Sequence, residues 1–231
     1  MANKSDQTPV PSTARTNLQE FLAKARALQG AVTPGGHGRL IFALDATASR
    51  EPTWDMACQL QGEMFDEVAK VGGLDVQLVF YRGRECKASR WVSDARALTD
   101  TMSKVECLTG YTQIGKVLAH ARKENSRQRV SALVFVGDAM EEEPAHLYAA
   151  ARELGVPVFA FQEGDEPAVT TVFRDIARLT NGAHCSFTPG AARELAELLR
   201  AVAAYASGGR QALLLNKSAA AAKLLLQLPP R

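Results

Sequence analysis

The chain has 231 residues, a net charge of +2, 46% hydrophobic and 23% charged residues, enough for one large α/β domain with short extensions. The near-neutral balance excludes a nucleic-acid or membrane surface built on bulk charge. No stretch reaches the ~20 consecutive apolar residues of a membrane-spanning helix.

Residues 1 to 17 are rich in Ser, Thr and Pro and are expected to be disordered. Residues 18 to 35 read as a helix and linker: Leu18, Phe21, Leu22, Ala25 and Leu28 share one helical face, and GAVTPGGHG breaks it. The main domain is expected over residues 36 to 205. Leu40 to Leu44 is a short apolar strand, and Met56, Leu60, Met64 and Val68 mark a helix after it. Asp75 to Tyr81 and Glu85 to Val92 read as a hairpin turning at Gly83. A helix presenting Leu98, Met102 and Val105 follows, then another with Ile114, Val117, Leu118 and Ala121 on one face.

Ser131 to Val136 is the most apolar strand and belongs at the sheet centre, buried on both faces. A helix from Pro144 closes at Gly155 before the strand VPVFAF. A helix over Val172 to Leu179, a strand over Ala183 to Phe187 and a helix carrying Leu195, Leu198, Leu199 and Val202 complete the pattern. Alternating strands and helices predict a doubly wound, mostly parallel sheet with the hairpin as an antiparallel edge. Residues 206 to 231 read as a helical extension. It either packs back on the domain or offers LLLQL to a partner.

The four cysteines, Cys58, Cys86, Cys107 and Cys185, are widely spaced and read as free thiols. With the polar N-terminus, which lacks the apolar core of a secretory signal, they point to the cytoplasm. Arg122, Lys123, Arg127 and Arg129 read as a solvated surface, and the four histidines show no ligand spacing.

The informative segment is LIFALDATASR. Asp45, Thr47 and Ser49 place oxygen-bearing side chains on alternate residues just past a buried strand, where they can turn toward one hard divalent cation. Thr112, in the loop before a helix, and Asp138, after the central strand, can join them if the two strands are neighbours. Two carboxylates and three hydroxyls suit Mg²⁺, which keeps waters and tolerates an incomplete protein shell. Taken singly, Ser49 and Thr112 also read as helix caps. Glu141, Glu142 and Glu143 read as acids complementing the helix that starts at Pro144, or as residues tuning the charge of the site.

In this order, Asp-x-Thr-x-Ser, a loop Thr and a strand-end Asp resemble the metal-ion-dependent adhesion site of von Willebrand factor A domains. The resemblance covers roughly residues 36 to 205. It implies Mg²⁺ or Mn²⁺ on Asp45, Thr47, Ser49, Thr112 and Asp138, and a partner protein whose acidic side chain completes the metal shell, with no catalysis. Thr47 and Ala48 replace the usual serine and glycine, and AMEEE replaces the usual glycine-led turn after Asp138. Arg50, Glu51, Trp54 and Tyr111 flank the ligands and are candidates for partner contact.

The expected function is therefore a metal-dependent interaction module in the assembly or regulation of a complex. A phosphoryl-transfer enzyme with Asp45 as nucleophile is the alternative, but it needs a general acid two residues on, where Thr47 stands. The third reading is a scaffold that binds through its terminal segments.

Overall fold

The alternation of apolar residues along each strand divides the core in two. In the computed structural model, which describes residues 38–47, 73–189 and 191–230, Leu40, Phe42 and Leu44 of β1 (Gly38–Asp45) enter one cluster and Ile41 and Ala43 the other. Successive side chains of a strand point to opposite faces of its sheet, so an unbroken apolar run is buried on both sides. β2 (Leu74–Arg82), β3 (Glu85–Ala88), β4 (Ala132–Gly137), β5 (Val158–Glu163) and β6 (Ala183–Phe187) complete the sheet. Its order is β3-β2-β1-β4-β5-β6, parallel throughout except for the β2–β3 hairpin. The doubly wound sheet with one antiparallel edge is thus observed.

One face carries α1 (Ala95–Met102), α5 (Ala192–Leu215) and α6 (Ala219–Leu225), the other α2 (Ile114–Arg127), α3 (Pro144–Arg152) and α4 (Pro167–Leu179). No helix among the described residues is long and apolar enough to cross a membrane. The helices expected near residues 18 to 28 and 56 to 68 lie outside the described residues.

Three elements depart from the sequence reading. β3 stops at Ala88 because Ser89 interrupts the ladder: its hydroxyl, not a carbonyl, accepts from the Leu78 amide at 3.0 Å, and pairing resumes only at Val92 opposite Val76. α1 ends at Met102, and Val105 reaches the core from a turn. α4 begins five residues earlier than Val172, at Pro167, whose fixed φ suits a first helical turn. A glycine is obligatory at Gly182, where a Cβ would stand 1.9 Å from the Val158 carbonyl oxygen.

The C-terminal residues join the core. α5 runs through residue 205 and bends at Gly208 and Gly209, and Leu213, Ala220, Ala221, Leu224 and Leu228 are buried with the sheet. Gln227 finishes the exposed edge of β6. Its carbonyl accepts from the His184 amide at 2.9 Å and its amide donates to the His184 carbonyl at 2.8 Å. One side chain thereby replaces a seventh strand at that point.

The His184 ring is half-buried beside Gln162, with its Nε2 3.2 Å from the Gln162 Oε1. Burial first, and the Arg174 charge second, push its pKa down to about 4. The unfolded chain therefore takes up a proton that the fold refuses. Stability is full above the unfolded value near 6.5 and falls as pH drops from about 6.5 to 4. The full shift corresponds to about 3 kcal/mol, cut to about 1–2 kcal/mol by the solvent that reaches the ring. Urea unfolding between pH 7.5 and 4.5 is expected to show this loss in the wild type and a smaller one in His184→Gln.

A buried ion pair crosses the other end of β1. Arg39 and Glu124 are each 6% exposed. The guanidinium lies 3.7 Å from the Trp91 ring centroid, donates to the Gln128 carbonyl at 2.6 Å and reaches Glu124 at 3.4 Å. Trp91 and Arg127 each donate to Glu124 at 2.8 Å.

Candidate metal centre

β1 and β4 are hydrogen-bonded neighbours, and the chain winds outward from them in opposite directions. Loops leaving their carboxyl ends diverge and open a crevice, the usual ligand position of such sheets. Asp45 closes β1 and is 1% exposed, while Asp138 directly follows β4 and is half-buried. The sequence-predicted carboxylates therefore stand side by side at the switch point.

Asp45 Oδ1 accepts from the Thr47 amide at 2.8 Å, a local turn that holds the carboxylate upright after the strand. The Ala46 amide donates to the Tyr81 carbonyl at 3.0 Å, and the Ala46 carbonyl accepts from the Leu108 amide at 3.1 Å, tying this turn to two neighbouring segments. Thr47 and Thr112 are buried polar residues. Ser49, Arg50, Glu51 and Trp54 lie outside the described residues. Tyr111 is 73% exposed, next in sequence to Thr112.

Thr112 does not cap α2. The cap position is Gln113, whose side chain makes no capping bond. The cap comes from the loop after β4: the Glu142 carboxylate accepts from the amides of Ile114 and Gly115, the latter at 3.0 Å. Glu141 and Thr112 bind reciprocally. The Thr112 amide donates to Glu141 Oε2 at 2.8 Å, and the Glu141 amide donates to the Thr112 hydroxyl at 3.0 Å. The acids expected to serve the helix at Pro144 thus serve α2 instead, and Glu143, at the start of α3, makes no capping bond with its side chain. This clamp joins the Thr112 loop to the Asp138 loop. The chain offers no local signal for it, since the partners are 27 to 29 positions apart.

Among the described residues, two buried carboxylate oxygens here have no hydrogen-bond partner, Asp45 Oδ2 and Asp138 Oδ1. Tyr81, opposite Asp45 in the β1–β2 register, is fully buried. Burial raises the Asp45 pKa, with the Asp138 charge adding to it, while the Thr47 hydrogen bonds and the nearby Tyr81 hydroxyl pull the other way. The Tyr81 pKa is pushed well up by burial, then by the charge of Asp45 and a side-chain hydrogen bond to it, then by the charges of Glu142 and Asp138. Unpartnered buried polar atoms are costly and rare. Both are carboxylate oxygens and the neighbouring groups are hydroxyls, so the set fits a hard divalent cation. Among the described residues no three His, Cys, Asp or Glu converge; a donor set of two carboxylates plus hydroxyls needs no such cluster.

Tyr81 is the member that periodicity hides, because it reads as one more apolar strand residue. In EDTA, Tyr81→Phe is expected to lower stability by about 1 kcal/mol, because the hydroxyl pairs with the buried Asp45 carboxylate. Thermal denaturation measures this; unchanged or higher stability would show that the hydroxyl does nothing to hold that carboxylate.

No family model matches the sequence, and no curated protein matches it significantly. Solved structures do match. A von Willebrand factor type A protein from Catenulispora acidiphila superposes with a TM-score of 0.58 at 17% identity, covering 75% of this chain and 43% of that one. The chain has the von Willebrand factor A fold.

An aerotolerance-related membrane protein from Bacteroides fragilis, carrying multiple mutations to serine, shares this fold with a TM-score of 0.56 at 16% identity, covering 70% of this chain and 96% of that one. Proximal thread matrix protein 1 from the mussel byssus, solved with zinc in its adhesion-site motif, has a TM-score of 0.53 at 21% identity, covering 73% and 45% respectively. Asp45 with Thr47, and Asp138, thus sit at the carboxyl ends of the two central strands of a von Willebrand factor A fold, with Thr112 clamped to the loop after the second of them.

Proposed function

We propose that this chain is a metal-dependent protein-interaction module. Asp45, Thr47, Ser49, Thr112 and Asp138 hold a divalent cation, Mg²⁺ or Mn²⁺, and a carboxylate of a partner protein completes its shell. The observation that carries this reading is the pair of unpartnered buried carboxylate oxygens, Asp45 Oδ2 and Asp138 Oδ1. The bound cation supplies charge compensation and a coordination position for an outside oxygen.

The chain's own residues do the rest. Two carboxylates balance the charge of a dication, and the hydroxyls add oxygens without adding charge. Glu141 and Glu142 hold the Thr112 loop against the Asp138 loop, so the donors are positioned before the cation arrives. Tyr111 stands exposed beside Thr112 for contact with the partner, with Arg50, Glu51 and Trp54 flanking the ligands in sequence. The reading assigns no catalysis to the chain and a role in assembling or regulating a complex. The mussel protein with zinc in its motif supports a divalent metal in this fold.

The test is capture of proteins from a lysate on immobilised full-length chain, in Mg²⁺ and in EDTA. A specific partner is expected only with Mg²⁺, and replacing one of its acidic residues by the amide should release it. A captured set unchanged by EDTA would sink the reading.

A further inference from the structure

A second concavity lies at the opposite end of the sheet from Asp45 and Asp138. Its volume is about 590 Å³, and it is lined by residues that precede β4, β5 and β6 and by the C-terminal segment. Arg129 enters it from the loop before β4, Arg152 from the last turn of α3, and Arg210 from α5 beyond the bend, while Leu179, Tyr205 and Leu228 supply apolar and aromatic wall. No Asp or Glu lines it among the described residues.

Three arginines lining one cavity make it a cationic site that favours an anion. Glu153, next to Arg152 in the chain, is engaged with Arg122 at 2.6 Å. The Arg210 side chain is held in place by the carbonyls of Leu225 and Leu228, to which it donates at 3.4 and 3.3 Å. Arg152 also complements the carbonyl end of α3. Arg210 does the same for the carbonyl end of α6, but neither role accounts for Arg129, which stands in a loop.

We propose that this cavity binds an organic polyphosphate of nucleotide size, with its phosphates on Arg129, Arg152 and Arg210 and its ring on Leu179, Tyr205 and Leu228. Guanidinium forks match phosphate oxygens two at a time, and three of them match a di- or triphosphate better than one carboxylate. The volume lies within the range of about 300–1,000 Å³ of small-molecule pockets, and the wall divides about evenly between polar and apolar surface, as a ligand with charged phosphates and a flat ring requires. The proposal is independent of the metal centre.

Calorimetric titration of the full chain with ATP in EDTA tests it, since chelation silences the cation site. ATP is expected to bind, more weakly as salt rises. It should bind at least tenfold more weakly to the Arg129→Ala/Arg152→Ala double variant, whose two side chains are exposed enough to remove without unfolding. Asp45→Ala should bind ATP as the wild type does, inorganic pyrophosphate more weakly than ATP, and adenosine more weakly still. No binding of ATP, or equal binding by the double variant, overturns the proposal. Pyrophosphate binding as tightly as ATP overturns the ring contact.

Discussion

Asp45→Asn is expected to weaken Mg²⁺ and Mn²⁺ binding by more than about 100-fold, beyond the loss that removal of a residue merely supporting a metal ligand causes. The same change is expected to stabilise the metal-free protein by about 1–2 kcal/mol. Both effects have one origin. Asp45 is a nearly fully buried carboxylate with Oδ2 unpartnered and Asp138 close by, so its charge is unfavourable until a cation arrives. Asparagine keeps the oxygen that accepts from the Thr47 amide while removing the charge. Calorimetry with either metal reads the first effect, and urea unfolding in EDTA the second. Equal metal affinity in the variant would remove Asp45 from the site, and a less stable variant in EDTA would make its charge structural.

Glu124→Ala is expected to destabilise the fold by about 3–5 kcal/mol. Glu124 anchors α2 to the start of β1 through Arg39, and it accepts from Trp91 and Arg127. Truncating it leaves the buried Arg39 with the Gln128 carbonyl and the Trp91 ring but, among the described residues, no counter-charge. Replacing both partners by apolar residues, Arg39→Met with Glu124→Leu, is expected to recover most of the loss, because neither charge is then stranded. Chemical denaturation of the single and double variants checks this. A double variant as unstable as Glu124→Ala would show that packing around the pair, not its charge, is what matters.

The two effects show different degrees of legibility. Asp45 and Asp138 were readable because each ends an apolar strand, and parallel topology puts strand ends at one edge. Thr112 was readable as a polar residue before a helix, but its attachment to Glu141 was not. Glu141 and Glu142 follow a strand and precede Pro144, so local rules assign them to α3; only the approach of α2 to the β4 loop gives them to the other helix. Tyr81 and Arg39 were hidden in the same way. In β2 a tyrosine looks like core, and at the start of β1 an arginine looks like a solvated end. Each is buried beside charged groups that come from distant parts of the chain.

By itself the sequence determined the element types, the parallel sheet with its antiparallel edge and the order of the oxygen donors. These follow from side-chain periodicity and from the fixed geometry of strand ends. Only the tertiary structure decided that residues after 205 belong to the core, that Gln227 completes the edge of β6, and that three arginines from separate elements face one cavity. Those depend on which distant surfaces meet, and no periodicity along the chain encodes that.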